Sequence, residues 1–201
     1  MTTEIEFFLA PHSPWVHIGY GRLKKILKKY NTKIIFKPID FLKVLKFSGG
    51  VPVKDRPKQK QIYRLNEINM WSSYLKIPIK LNPKFFPVNY EKSSKLLIAA
   101  QFRYESEITL NLLGLISKAM WEEEENIDDL KTLQKLINLL NLVDEKLLTE
   151  MNSQTVNDAY IKNTEEAIRT NIFGVPWYRI NEKNFWGQDR LDFLERELLN
   201  D

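Results

Sequence analysis

Residues 4–9, EIEFFL, read as a short strand running into Pro11. Ser13-Pro14 then opens a helix: serine suits an N-cap, and proline suits the first helical position, where no backbone donor is needed. Ile18, Leu23, Ile26 and Leu27 make an apolar stripe with lysines on the opposite face, and this helix ends near Tyr30-Asn31. Residues 33–39, KIIFKPI, form a second strand, so the chain opens as β-α-β, a parallel pair joined by a right-handed crossover. Glycines, prolines and charges make 46–57 a loop. A helical pattern returns over 58–76, with Ile62, Leu65, Ile68, Trp71 and Leu75 on one side, and Pro78 stops it. Residues 82–90, NPKFFPVNY, read as an extended aromatic loop, followed by helices at 92–105, 107–124, 128–141, 142–150 and 156–171.

The last thirty residues change character. GVPWYRI enters a strand, NEKN turns, FWG makes a second short strand, and QDRLDFLERELL is a terminal amphipathic helix. The order is therefore β-α-β, a block of helices, then β-β-α. No repeat or flexible linker interrupts it. This is an α/β chain of one domain, 1–201, in which the halves 1–50 and 172–201 share a sheet and 51–171 is a helical insertion.

Composition narrows the class. With 201 residues and 43% hydrophobic positions, a substantial core can be buried. No apolar run approaches the roughly 20 residues of a membrane span. The N-terminus lacks a basic region ahead of its apolar stretch, so the expected compartment is the cytoplasm. The formal charge of +4 suits an anionic small molecule; lysines and arginines are scattered, so no nucleic-acid partner is expected. The run Glu122–Glu125 reads as solvated carboxylates, with no histidine near it in sequence, and no metal site is expected.

The absence of cysteine changes the picture most. It removes disulfides, thiolate metal sites and protein-borne thiol chemistry; a reaction that needs a thiol must take it from a small molecule. Three local motifs can serve such a molecule. His12-Ser13-Pro14-Trp15 sits between a strand's C-terminal end and a helix N-terminus, where partial positive charge and open amides stabilise an anion such as a thiolate. The Ser13 hydroxyl can donate to that thiolate, although a routine helix cap is the alternative. Gly174-Val175-Pro176-Trp177 enters a late strand through a proline, a place that favours a cis bond and leaves the Val175 backbone free to pair with a peptide-like ligand. Trp186-Gly187-Gln188-Asp189-Arg190 turns the last strand into the last helix, and Asp189 is either a cap or a carboxylate for a ligand's ammonium group. A Ser13–His12 catalytic pair is poorly placed, because neighbours at i and i+1 diverge.

Taken in this order, and with Ile-Pro-Ile (77–79) and Phe-Pro-Val-Asn (86–89) between them, these motifs resemble the 2-hydroxychromene-2-carboxylate isomerases and the kappa-class glutathione transferases. Both belong to the DsbA-like branch of the thioredoxin fold, and the resemblance covers nearly the whole chain. It implies glutathione as the thiol, Ser13 as the catalytic residue facing its sulfur, Val175 and Pro176 at its cysteinyl part, and Trp186, Gly187, Gln188 and Asp189 at its γ-glutamyl end. It also implies a small aromatic carboxylate as second substrate, held by Lys54, Arg56 and Lys58 with Phe85 as a wall, and a homodimer working in aromatic compound catabolism. The implied reaction opens the hydroxychromene ring, adds the thiolate transiently to the conjugated double bond, and releases the trans-o-hydroxybenzylidenepyruvate. The sequence departs from the family at Val16, where relatives often carry a second serine, and at Gly50, where they show asparagine. Dithiol exchange is excluded, because Ser13-Pro14-Trp15-Val16 stands where DsbA-type oxidoreductases carry Cys-X-X-Cys. Trp-Gly-Gln-Asp-Arg favours the isomerases; the alternatives are a kappa-like transferase acting on electrophiles and a non-catalytic glutathione-binding module.

Overall fold

A computed structural model of the chain describes residues 4–142 and 146–199. The first strand, β1 (Glu4–Leu9), is followed by helix α1 (Pro14–Tyr30), strand β2 (Lys33–Pro38) and a short helix α2 (Phe41–Ser48). Helices α3 (Lys58–Leu75), α4 (Glu91–Arg103), α5 (Ser106–Trp121), α6 (Leu130–Leu139), α7 (Lys146–Glu150) and α8 (Gln154–Arg169) come next. Strands β3 (Trp177–Ile180) and β4 (Lys183–Trp186) and helix α9 (Leu191–Leu199) close the chain. The sheet order is β2-β1-β3-β4, with β1 parallel to β2 and antiparallel to β3. This is the thioredoxin-like α/β fold, with β-α-β and β-β-α parts separated by helices. The expected helix at 142–150 lies partly outside the described residues; 146–150 of it is helical.

β1 is the innermost element. Ile5, Phe7, Phe8 and Leu9 are all buried, which a strand covered on both faces requires. The ring of Phe7 stacks on Tyr178 of β3, with centroids 4.8 Å apart. The outer edge of β2 is covered from α4, where the Gln101 amide accepts from Phe36 N at 2.5 Å and donates to Phe36 O at 3.1 Å. β3 and β4 meet in a two-residue hairpin in which Asn181 and Glu182 both take positive φ (47° and 66°), the twist that a tight hairpin favours.

Two sequence expectations change. The loop expected at 46–57 begins only after α2. Asp40 caps α2 by accepting from Lys43 N at 3.0 Å, and Gly49 ends it at φ 73°. A helix of eight residues is too short for periodicity to announce, and its stop signal masked its start. The apolar stripe expected along 58–76 is not a core face either: Ile68 is the one buried residue of α3, and Ile62 is half exposed. α3 packs against α1 and otherwise walls a cavity, so its inward face carries polar side chains. No helix among the described residues is long and apolar enough to cross a membrane.

An ionic cluster binds the sheet to α8. Glu6 on β1 pairs with Lys37 on β2 and Arg179 on β3; Glu166 on α8 pairs with both cations, at 2.7 Å from Lys37 Nζ. Both cations stand over the buried Phe8 ring, at 5.0 and 5.2 Å. Burial pushes the Glu6 and Glu166 carboxyls up, but their hydrogen bonds to Arg179 and Lys37 outweigh it and hold both below the ordinary value of 4.5. A carboxyl lowered by folding stabilises fully above its unfolded value and stops doing so as pH falls through its folded value. The urea midpoint should therefore fall on acidification below about pH 4.5. In Glu166→Gln the unfolding free energy should already be lower at neutral pH, by about 2 kcal/mol, with a lower urea midpoint and a flatter acid limb. Equal pH slopes for wild type and variant would remove this cluster from the account.

Candidate active site

Three chain segments reach one end of the sheet. β1 delivers Ser13 there. β3 runs antiparallel to β1, so the residues before it, Val175-Pro176, lie beside that end, and β4 returns to it with Trp186 opposite Trp177. The segments line a cavity of about 640 Å³, closed on its far side by α3 and by Phe86.

Ser13 is buried, at 5% exposure, and lines this cavity. It stands at the N-cap of α1, yet its hydroxyl makes no capping bond. Its backbone does the local work: Ser13 N donates to Ala10 O at 2.9 Å, and Ser13 O accepts from Val16 N and His17 N. Pro14 has no N–H, and the Trp15 N–H finds no acceptor among the described residues. A free hydroxyl and an open amide thus sit at the positive end of a long helix, which is an anion site in the making.

The neighbouring histidines are not acids. His12 stacks on Tyr90 with ring centroids 3.9 Å apart, and its buried Nδ1 has no partner. Burial first, and the charge of Arg64 second, push it down to about 3, so it stays neutral. His17 is buried and donates from Nε2 to Pro78 O at 2.9 Å, tying α1 to the 77–79 segment; burial lowers its basicity although that bond raises it. Neither imidazole is hydrogen-bonded to the Ser13 hydroxyl.

The Val175-Pro176 bond is cis. Val175 lines the cavity, and its backbone makes no hydrogen bond among the described residues. Pro176 O accepts from Gly187 N at 2.9 Å, which fastens the third segment to the second. Gly187 takes φ 98°, and a Cβ there would lie 2.4 Å from Asp189 Oδ1, so only glycine fits. Gly174 is equally constrained: a Cβ would lie 2.1 Å from the Trp186 indole nitrogen, so the missing side chain lets that indole, edge-on to Phe173, form the rim. Gln188 is buried, and its backbone and side-chain oxygens both accept from Arg22 of α1, the side-chain one at 2.9 Å. Asp189 makes no capping bond; it lines the cavity, with its carboxylate paired to Arg190 at 2.5 Å.

The expected second-substrate residues divide. Arg56 lines the cavity, although its Nε is spent on Val51 O at 2.7 Å. Lys54 and Lys58 are exposed and do not line it, because the inward face of α3 runs through Lys60, Arg64, Glu67 and Trp71, at helical spacing. Phe85 lies under Lys84 at 5.2 Å, outside the cavity; the wall is Phe86, backed by Trp121 at 5.4 Å. Sequence reasoning missed Arg64, Phe86 and Arg22. The seven-residue spacing of Arg64 and Trp71 was the available signal for the first. The run Glu122–Glu125 disperses: Glu122 lies 3.6 Å from His17, Glu123 pairs with Lys118, Glu124 accepts from Lys84 N, and Glu125 pairs with Lys135.

The family model of the DsbA-like thioredoxin domain matches residues 4–199. A 2-hydroxychromene-2-carboxylate isomerase of Pseudomonas putida is 26% identical over 193 residues, covering 95% of this chain and 92% of its own length. Glutathione S-transferase kappa 2 of Caenorhabditis elegans is 24% identical over 211 residues, covering 94% of this chain and 91% of its own. Among solved structures, a 2-hydroxychromene-2-carboxylate isomerase superposes with a TM-score of 0.81 at 23% identity, over 98% of this chain and 95% of that one; that likeness is one of fold.

The Gly187 turn yields a direct test. Gly187→Ala should lower stability by about 1–3 kcal/mol, read as a fall in the urea midpoint. An unchanged midpoint would show that the turn accepts a Cβ.

Proposed function

We propose, for a chain that belongs to the family of DsbA-like thioredoxin domains, that it is a glutathione-dependent isomerase of 2-hydroxychromene-2-carboxylate acting through Ser13. The observation that carries this reading is the buried Ser13 hydroxyl, left without a capping bond at the cavity end of α1 in a chain with no cysteine. The other residues fit the same tripeptide thiol. The open backbone of Val175 suits its peptide part, and the Asp189 carboxylate suits its ammonium group. Bound there, glutathione supplies a thiolate that adds reversibly to a conjugated double bond and leaves once the bond has rotated.

The chain's own work is electrostatic. Ser13 donates its hydroxyl proton in a hydrogen bond to the sulfur anion, and the start of α1 adds partial positive charge. The thiol is thereby ionised near neutral pH without a base, which suits a site whose histidines stay neutral. Arg56 and Lys60 put positive charge where the second substrate's carboxylate enters. Phe86 and Trp186 give the substrate aromatic surfaces. The proton balance is neutral over the cycle, because the thiolate that leaves is the one that arrived. The cysteine-free chain needs no oxidising compartment, and we place it in the cytoplasm.

Ser13→Ala should retain glutathione affinity and lose about a hundredfold in turnover of hydroxychromene carboxylate, followed by absorbance. Omitting glutathione should abolish conversion by the wild type. Turnover unchanged in the variant would remove Ser13 from the mechanism. An enzyme that leaves hydroxychromene carboxylate untouched yet conjugates a chlorinated aromatic would be a transferase using the same thiol site.

A further inference from the structure

Arg64 is out of place for an arginine. It sits on the inward face of α3, half-buried, and lines the cavity. Other arginines near the site or sheet are engaged: Arg22 with Gln188, Arg179 with Glu6 and Glu166, Arg190 with Asp189, Arg56 with Val51 O. Arg64 has no hydrogen bond and no carboxylate partner among the described residues. Glu67 lines the cavity three residues on, but forms no ion pair with it. What Arg64 has is an aromatic floor: its guanidinium carbon stands 5.1 Å from the centroid of Phe86. Burial, and then the charge of Arg56, push its pKa down to about 10, the mark of a cation lacking a counter-charge. A half-desolvated guanidinium beside a second one is costly to leave unpaired, and a bound anion removes that cost.

The position identifies the anion. Phe86 links Arg64 to the reaction centre, since its ring lies 6.4 Å from that of His12, the residue before Ser13. The elements assigned to glutathione, Val175 and Gly187–Asp189, belong to other segments. An aromatic ring against Phe86 would carry an attached carboxylate to the guanidinium, whose planar fork matches two carboxylate oxygens.

We propose that Arg64 holds the carboxylate of the second substrate and makes this cavity selective for aromatic acids over neutral aromatic electrophiles. The proposal rests on the isomerase reading for the identity of that substrate, but not for the class of ligand bound. In the reaction, negative charge develops on the keto oxygen adjoining the carboxylate, so Arg64 also stabilises the transition state.

The test compares Arg64→Leu and Arg64→Lys with wild type, using trans-cinnamate and its uncharged amide as probes, read by quenching of tryptophan fluorescence. Glutathione affinity is measured separately by calorimetry. Arg64→Leu should weaken cinnamate about tenfold, equivalent to about 1.4 kcal/mol, while the amide and glutathione change less than about twofold. Arg64→Lys should recover part of the loss, because charge returns without the fork. Equal weakening of cinnamate and its amide would mean a loss of shape, and would overturn the proposal. So would a parallel loss of glutathione affinity, which would give Arg64 to the thiol's own carboxylate. Selective loss of cinnamate in a protein that binds no glutathione would uphold this assignment while the isomerase reading fails.

Discussion

The direction of β1 is the constraint on which this site depends. β1 lies inside the sheet, with Ile5, Phe7 and Leu9 buried on one face and Phe8 buried beside the paired Glu6 on the other. Its parallel partner β2 is reached through α1, so the start of α1 lies at the C-terminal end of β1. Its antiparallel partner β3 begins at that end, and β4 finishes there. Ser13, Val175 and the Gly187–Asp189 turn, far apart in sequence, meet because of three strand directions and nothing more specific. The ionic cluster of Glu6, Lys37, Arg179 and Glu166 ties β1, β2 and β3 to one another and to α8.

The same layout explains the electrostatics. The cavity end of α1 is positive through its amides, the neighbouring histidines are neutral through burial, and Arg64 and Lys60, with no carboxylate partner among the described residues, line the same cavity from α3. A thiolate bound there, as proposed, would be stabilised by dipoles and a hydroxyl, leaving the full charges for carboxylates. Arg22 supports the arrangement from behind: by binding both oxygens of Gln188 it fixes the turn that presents Asp189.

Much of this was legible in the sequence because its key residues stand at element ends, where prolines and glycines mark special backbone. Ser13-Pro14, Val175-Pro176 and Trp186-Gly187 are such places. The long helices were legible from their stripes. α2 was not, since eight residues between a strand and a Gly-Gly pair carry too little pattern. The inward face of α3 was not, because a helix that walls a cavity has no reason to be apolar there, and Arg64 looks like any surface charge until its lack of a partner is seen. The choice of Phe86 over Phe85 turns on one residue of rotation in an irregular loop, which no periodicity determines. The capping roles open to Ser13 and Asp189 could be set aside only from side-chain geometry.

In the proposed function, Ser13 and the start of α1 turn a borrowed thiol into a thiolate. The most direct measurement is the ultraviolet absorbance of glutathione thiolate, titrated against pH with protein in excess. The bound thiol should ionise well below the ordinary thiol value of about 8.5, and move back toward it in Ser13→Ala. Glutathione that binds but titrates as it does in free solution would take thiol activation away from Ser13 and α1.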